Sequence, residues 1–210
     1  MNYQEENALS LLEFRAGNIS LWEDQSLMLK AAAEIIYPKL VEANQEIESH
    51  FKNHTDHSYL YYPTAGLNQI WMLSVGYSTE CLIKAIVVTT TAVPLVQNNK
   101  FNMKIFGNSS RSHDLYYLLD RINGLKLNLT SEQNSFLLKM SSYITWRGKY
   151  PVPKEPNDLV WYTSPDSQKM YVDLGAARLK GDKDKKNFEQ IFDMLYIKLV
   201  EAKEAKLRSE

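Results

Sequence analysis

Between Leu67 and Thr90 the chain is apolar on almost every side of a helix. Leu67, Ile70, Trp71, Leu73, Val75, Cys81, Leu82, Ile83, Ala85 and Ile86 cover most of the circumference. A helix of that kind belongs at the centre of a bundle, where neighbours cover every face. Thr64 or Asn68 is expected to open it. The β-branched run Ile86 to Thr91 weakens its end, and Pro94 stops it. Glu80 and Lys84 interrupt the apolar stretch from Ile70 to Leu95. Two charges near the middle favour a buried helix of a soluble protein over a membrane span.

The flanking segments supply the partners. A short helix is expected around Leu9 to Phe14, and a long one over Asp24 to Asn53. The stripe of the long one is Leu29, Ala32, Ile36, Leu40, Ala43, Ile47 and Phe51, and Pro38 inside it should kink it. Residues 54–64 and 95–111 read as loops. Ser112 is the expected N-cap of a helix with Asp114 in its first turn and Leu115, Leu118, Leu119 and Ile122 on its buried face. Asn123-Gly124 stops it. Thr130-Ser131-Glu132-Gln133 is a capping box, and the helix it starts ends at Gly148 and Pro151.

Residues 151–183 are irregular, with Pro151, Pro153 and Pro156 keeping the chain extended. Leu159 to Tyr162 reads as a short strand or a covering loop, and Ser164-Pro165-Asp166 as a helix start. The final helix is expected over Asp184 to Leu207, with Phe188, Ile191, Phe192, Leu195, Leu199 and Ala202 as its stripe. The 210 residues thus read as one all-α domain, a bundle of five to six helices with its core over about residues 24–153.

Net charge is −1, so no bulk basic field recruits nucleic acid, and any RNA contact needs a local patch. Cys81 is the only cysteine, which fits a reducing compartment. The segment Met1 to Asn7 is polar and acidic, unlike a signal peptide. A cytoplasmic location is expected. Neither a phosphate-binding glycine loop nor a Gly-x-Ser-x-Gly elbow occurs, and Cys81 reads as a buried, inert thiol.

Four constellations could carry chemistry. Arg147, Lys149 and Tyr150 place a phosphate-gripping guanidinium, a second cation and a stacking ring at a helix end. The same residues also fit a solvated basic helix terminus. Glu80 and Lys84 stand four apart in the favourable order for an ion pair. That pair either ties the central helix to its neighbours or lets Glu80 orient Arg147 or His113. His113-Asp114 opens a helix and offers a general base or a phosphate contact, or local capping beside a surface histidine. His50, His54 and His57 have the spacing of a weak metal site or of an exposed histidine-rich helix end. No cofactor is expected.

Three of these segments, in order, resemble the HEPN family (higher eukaryotes and prokaryotes nucleotide-binding domain). They are Tyr77-Ser78-Thr79-Glu80-Cys81-Leu82-Ile83-Lys84-Ala85, His113-Asp114-Leu115-Tyr116-Tyr117-Leu118-Leu119 and Arg147-Gly148-Lys149-Tyr150-Pro151. The resemblance spans about residues 65–153. It implies a helical bundle, frequently a homodimer, with an RNA- or nucleotide-related role in bacterial defence or toxin–antitoxin systems and an antitoxin-like protein partner. Many members are metal-independent ribonucleases with an arginine followed by a histidine after four to six residues. This chain has no histidine after His113 and no such pair. The leading expectation is therefore a non-catalytic RNA-, nucleotide- or partner-binding module. Glu80, Lys84, Asp114, Arg147, Lys149 and Tyr150 would be its ligand-binding residues. The alternatives are an atypical ribonuclease using His113 and Arg147, and a purely structural interaction module.

Overall fold

The computed structural model describes residues 3–53, 66–107, 111–120, 122, 127–147, 160–161, 171–172 and 182–209. The described residues form an all-α bundle of six helices: α1 (Tyr3–Gly17), α2 (Ile19–Asn53), α3 (Gly66–Thr90), α4 (Leu115–Asp120), α5 (Ser131–Ser142) and α6 (Asp182–Ser209). Two antiparallel pairs of two-residue strands complete it: β1 (Val96–Gln97) with β2 (Lys100–Phe101), and β3 (Val160–Trp161) with β4 (Tyr171–Val172).

α3 is the axis, as its all-round apolarity requires. It packs against α2, α4, α5 and α6. Trp71, Met72, Val75, Leu82, Ile83, Ala85 and Ile86 are all shielded from solvent. Among the described residues α3 alone is long and apolar enough to cross a membrane, and 72% of its apolar window is buried inside the bundle. Trp71 gathers the neighbouring helices, with ring centroids 5.7 Å from Tyr37 of α2, 6.2 Å from Phe136 of α5 and 6.3 Å from Phe188 of α6. Gly76 allows α5 to come close, since a Cβ there would lie 2.5 Å from Ile144 Cγ2.

Several boundaries and faces differ from the sequence reading. α1 begins at Tyr3 and α2 at Ile19, both earlier than periodicity indicates. Pro38 lies inside α2 on its exposed side, within a single helix. The buried face of α2 is Ser26, Ala33, Tyr37, Leu40 and Ala43, so Leu29, Ala32 and Ile36 flank it. The face turned because polar atoms fill it: Ser26 bonds to Ser78 of α3, and the Tyr37 hydroxyl donates to Asp182 of α6. Residues 95–111, read as a loop, hold the β1–β2 hairpin, with Asn98 and Asn99 at φ 52° and 58° as a tight two-residue turn demands. A 3₁₀ turn, Met103–Phe106, follows.

Asp114, and not Ser112, caps α4: its Oδ1 accepts from the Tyr116 and Tyr117 N–H groups at 3.0 and 3.2 Å. Thr130 and Gln133 form the reciprocal capping box of α5. α5 then widens into a π-helical turn, Tyr143–Arg147, where a plain α-helical end was expected. The α6 stripe Phe188, Ile191, Phe192, Leu195 and Leu199 is buried. The side chains of Ile47 and Phe51, the stop at Asn123-Gly124, and the readings at Gly148, Pro151, Pro153, Pro156 and Ser164-Pro165-Asp166 lie outside the described residues.

Candidate functional site

A polar cluster is built around an ion pair within the central helix. Glu80 and Lys84 stand one turn apart on α3, and Lys84 Nζ lies 2.5 Å from Glu80 Oε1. Both side chains are almost completely buried, at 6% and 5% exposure. A buried pair needs further partners, because neither charge keeps its water. Lys84 finds them in two rings: Nζ sits 5.0 Å from the Phe106 centroid and 5.8 Å from that of Trp22. These rings meet edge to face at 5.6 Å, closing an aromatic wall over the ammonium.

Glu80 finds its second partner in His113, in the turn leading to α4. Nδ1 of the imidazole lies 3.0 Å from both carboxylate oxygens. Burial alone would push the Glu80 carboxyl up. The hydrogen bond from His113 and the charge of Lys84 outweigh it and hold the carboxyl below its ordinary range. An ionised carboxylate only accepts, so Nδ1 carries a proton. In the neutral ring Nε2 is then an acceptor; in the charged ring it is a donor. The His113 side chain is 40% exposed and Glu80 is its partner through Nδ1. A buried carboxylate thus holds a half-exposed imidazole through Nδ1.

The loop is pinned from the other side by α5. Ser141 Oγ accepts from the Leu115 N–H at 3.1 Å and approaches Asp114 Oδ1 at 3.4 Å. Ser141 is two residues before the π-helical segment, so the end of α5 runs beside the His113 loop. π turns of this kind recur at functional sites.

Of the residues singled out from the sequence, Glu80, Lys84, His113 and Asp114 come together. Two of them take different parts from those expected. Lys84 is enclosed by Glu80, Trp22 and Phe106, which removes it from the groups that can reach an external phosphate. Asp114 commits Oδ1 to the α4 cap. Arg147 ends the π turn, but its side chain lies outside the described residues, as do Lys149, Tyr150, His54, His57 and the side chain of His50. No group of three or more metal-ligating side chains occurs among the described residues. Trp22, Phe106 and Ser141 had no signal in the sequence, because they join the cluster only through packing.

Cys81, beside Glu80, is half-buried, and burial pushes its thiol up to about 11. An open groove of about 420 Å³ lies at the hairpin between Gln97 and Lys104; neither Glu80, Lys84 nor His113 lines it. Within the cluster, His113 is the member with a substantially exposed side chain, beside the buried Glu80 and Lys84. No protein-family model, curated protein or solved structure matches the chain.

Proposed function

We propose that this chain is a HEPN-like helical module that holds a phosphate-bearing ligand, RNA or a nucleotide, at the half-exposed His113, without the family's usual catalytic pair. The hydrogen bond between Glu80 and His113 carries this reading. It fixes the tautomer and direction of an exposed imidazole through a carboxylate that has no other outlet to solvent. Lys84 balances the Glu80 charge, so the carboxylate does not repel an anion beyond the ring. Arg147, Lys149 and Tyr150, which follow α5 in the sequence, are the further ligand-binding candidates, and Ser141 of α5 bonds to the loop. The chain has no arginine followed by a histidine after four to six residues, which favours binding over catalysis.

The same geometry also favours a second reading. A carboxylate-oriented imidazole is the arrangement used for general acid–base work. With Arg147 stabilising a charged phosphorane, His113 would serve an atypical, metal-independent ribonuclease.

Incubating the purified protein with labelled RNA in EDTA, with binding measured in parallel, separates the two. The binding module predicts retention of RNA without cleavage, weakened in His113→Ala and Arg147→Ala. The ribonuclease predicts cleavage lost in both variants. Unaltered RNA and nucleotide affinity in both variants removes the site from either role.

A further inference from the structure

The β1–β2 hairpin and the 3₁₀ turn after it carry charge of one sign. From Cys81 to His113 the chain has no Asp or Glu, while Lys84, Lys100, Lys104 and Arg111 are cationic. Lys84 is enclosed with Glu80 inside the bundle. Lys100 and Lys104 are exposed, and both line the open groove of about 420 Å³ at the hairpin. α1 packs against the hairpin, and its exposed Glu6 and Glu13 form no ion pair with either lysine among the described residues. A chain of net charge −1 thus carries a local cationic groove without any bulk basic field.

The fold holds this groove in place. Asn98 and Asn99 close the hairpin in the left-handed region, at φ 52° and 58°. The Asn102 N–H donates to the Leu95 carbonyl at 2.8 Å, and its side-chain amide donates to the Pro94 carbonyl at 3.1 Å. The half-buried Phe101 ring lies 5.8 Å from that of Phe106 in the core. Gly107 then packs against α4, since a Cβ there would lie 2.1 Å from Tyr117 Cε1. The Arg111 guanidinium is 5.4 Å from the centroid of that same Tyr117 ring. The strip bearing the groove and the turn before α4 therefore adjoin.

The lining suits one kind of ligand. Lysine ammonium groups meet phosphates as point charges on flexible stems. The side-chain amides of Gln97 and Asn98 also line the groove and can donate to and accept from base edges. A cationic groove that includes an aromatic ring is the arrangement that follows a single strand by its backbone. We infer that the β1–β2 groove holds the phosphate backbone of a single-stranded RNA through Lys100 and Lys104. This deepens the proposed function by naming a strand rather than a free nucleotide. It rests on that ligand class and not on His113 as the group that holds it.

The test is the affinity of the full chain for a short labelled oligouridylate across a salt series, with uridine monophosphate measured separately. Wild type is compared with Lys100→Gln, Lys104→Gln and with a control that loses two lysines elsewhere, Lys39→Gln, Lys198→Gln. Circular dichroism checks that the helices persist. Each phosphate contact on a single strand contributes about 0.7 to the slope of log affinity against log salt, so the groove variant should bind the strand more weakly and with a slope shallower by about 1.4. The control should match the wild type, and uridine monophosphate affinity should change little in either. Strand affinity that is unchanged in the groove variant but weakened in His113→Ala overturns the groove and leaves the proposed function. Strand affinity lost in the groove variant but unchanged in His113→Ala and Arg147→Ala upholds the groove and removes His113 from the ligand. An equal loss in the control assigns the effect to overall charge and overturns the inference, and an equal loss for uridine monophosphate overturns the strand. Failure of both probes at low salt in the wild type removes the groove together with the proposed function.

Discussion

Ser26 and Ser78 hold each other's backbone. The Ser26 hydroxyl donates to the Ser78 carbonyl at 2.7 Å, and the Ser78 hydroxyl donates to the Ser26 carbonyl at 2.8 Å. Both residues are fully buried where α2 crosses α3. The small side chains let the two backbones approach, and the reciprocal bonds satisfy every hydroxyl that the approach desolvates. Each bond of this sort contributes about 1 kcal/mol net. Ser26→Ala and Ser78→Ala should each cost about that much in urea unfolding. Each hydroxyl donates to a backbone carbonyl that alanine retains, so each single change leaves the other bond in place and the double variant should cost about the sum of the two. A cost well away from the sum would show that the two bonds act as one unit.

The buried ion pair makes a sharper prediction. Glu80→Ala leaves Lys84 charged behind Trp22 and Phe106 with no counter-charge, and losses of about 3–5 kcal/mol are usual for such a step. Glu80→Gln combined with Lys84→Met removes both charges and should cost much less. Equal losses in the two proteins would mean that packing, and not the unpaired ammonium, sets the cost.

The same pair sets an acid limit. The folded Glu80 carboxyl titrates below its ordinary value of 4.5, so the folded state favours the ionised form. That stabilisation is complete above the unfolded value and is lost as pH falls through the folded one. Unfolding free energy should therefore drop with acidification below about 4.5 more steeply in the wild type than in the Glu80→Gln, Lys84→Met protein. Parallel acid limbs would assign the loss to other carboxylates.

Gly76 tests the close approach of α5. An added methyl would meet Ile144 Cγ2 and, at 3.4 Å, the Met140 carbonyl oxygen. Overpacking of this kind costs about 1–3 kcal/mol, enough to outweigh alanine's better helix propensity. A thermal midpoint for Gly76→Ala at or above that of the wild type would show that the π-helical turn yields freely.

Cys81 should be chemically quiet. With its thiol pushed up to about 11, very little thiolate exists at neutral pH. Iodoacetamide should modify the folded protein far more slowly than the urea-unfolded chain. Equal rates would contradict the burial that raises the thiol.

Much of this architecture is legible in sequence, for identifiable reasons. α3 stands out because no amphipathic surface helix has its composition, and the Thr130–Gln133 capping box because its signature is local. Where tertiary contacts decide, the pattern misleads. The α2 face turned toward Ser26 and Tyr37, whose hydroxyls have partners only in the folded bundle. Asp114 took the cap from Ser112 because the chain makes a turn first, with the Asp114 N–H bonded to the Arg111 carbonyl. In the site, the spacing of Glu80 and Lys84 announced a pair and narrowed its outer partner to Arg147 or His113. The rings of Trp22 and Phe106 lie 62 and 22 residues from Lys84, and no periodicity connects positions so far apart.

The ties of α6 have a consequence for the order in which the molecule can assemble. Its ends are fastened to the first long helix by Tyr37–Asp182 and by Lys203–Glu23, contacts that span 145 and 180 residues of chain. Phe188 of α6 covers one side of Trp71. On a ribosome, α2 and α3 are complete long before α6 exists, and the most apolar helix of the protein waits with that flank open to water. Closure of the core is thus a late event governed by synthesis rather than by local helix formation. Truncation before residue 182 should yield a sticky helical intermediate instead of a smaller version of the same fold.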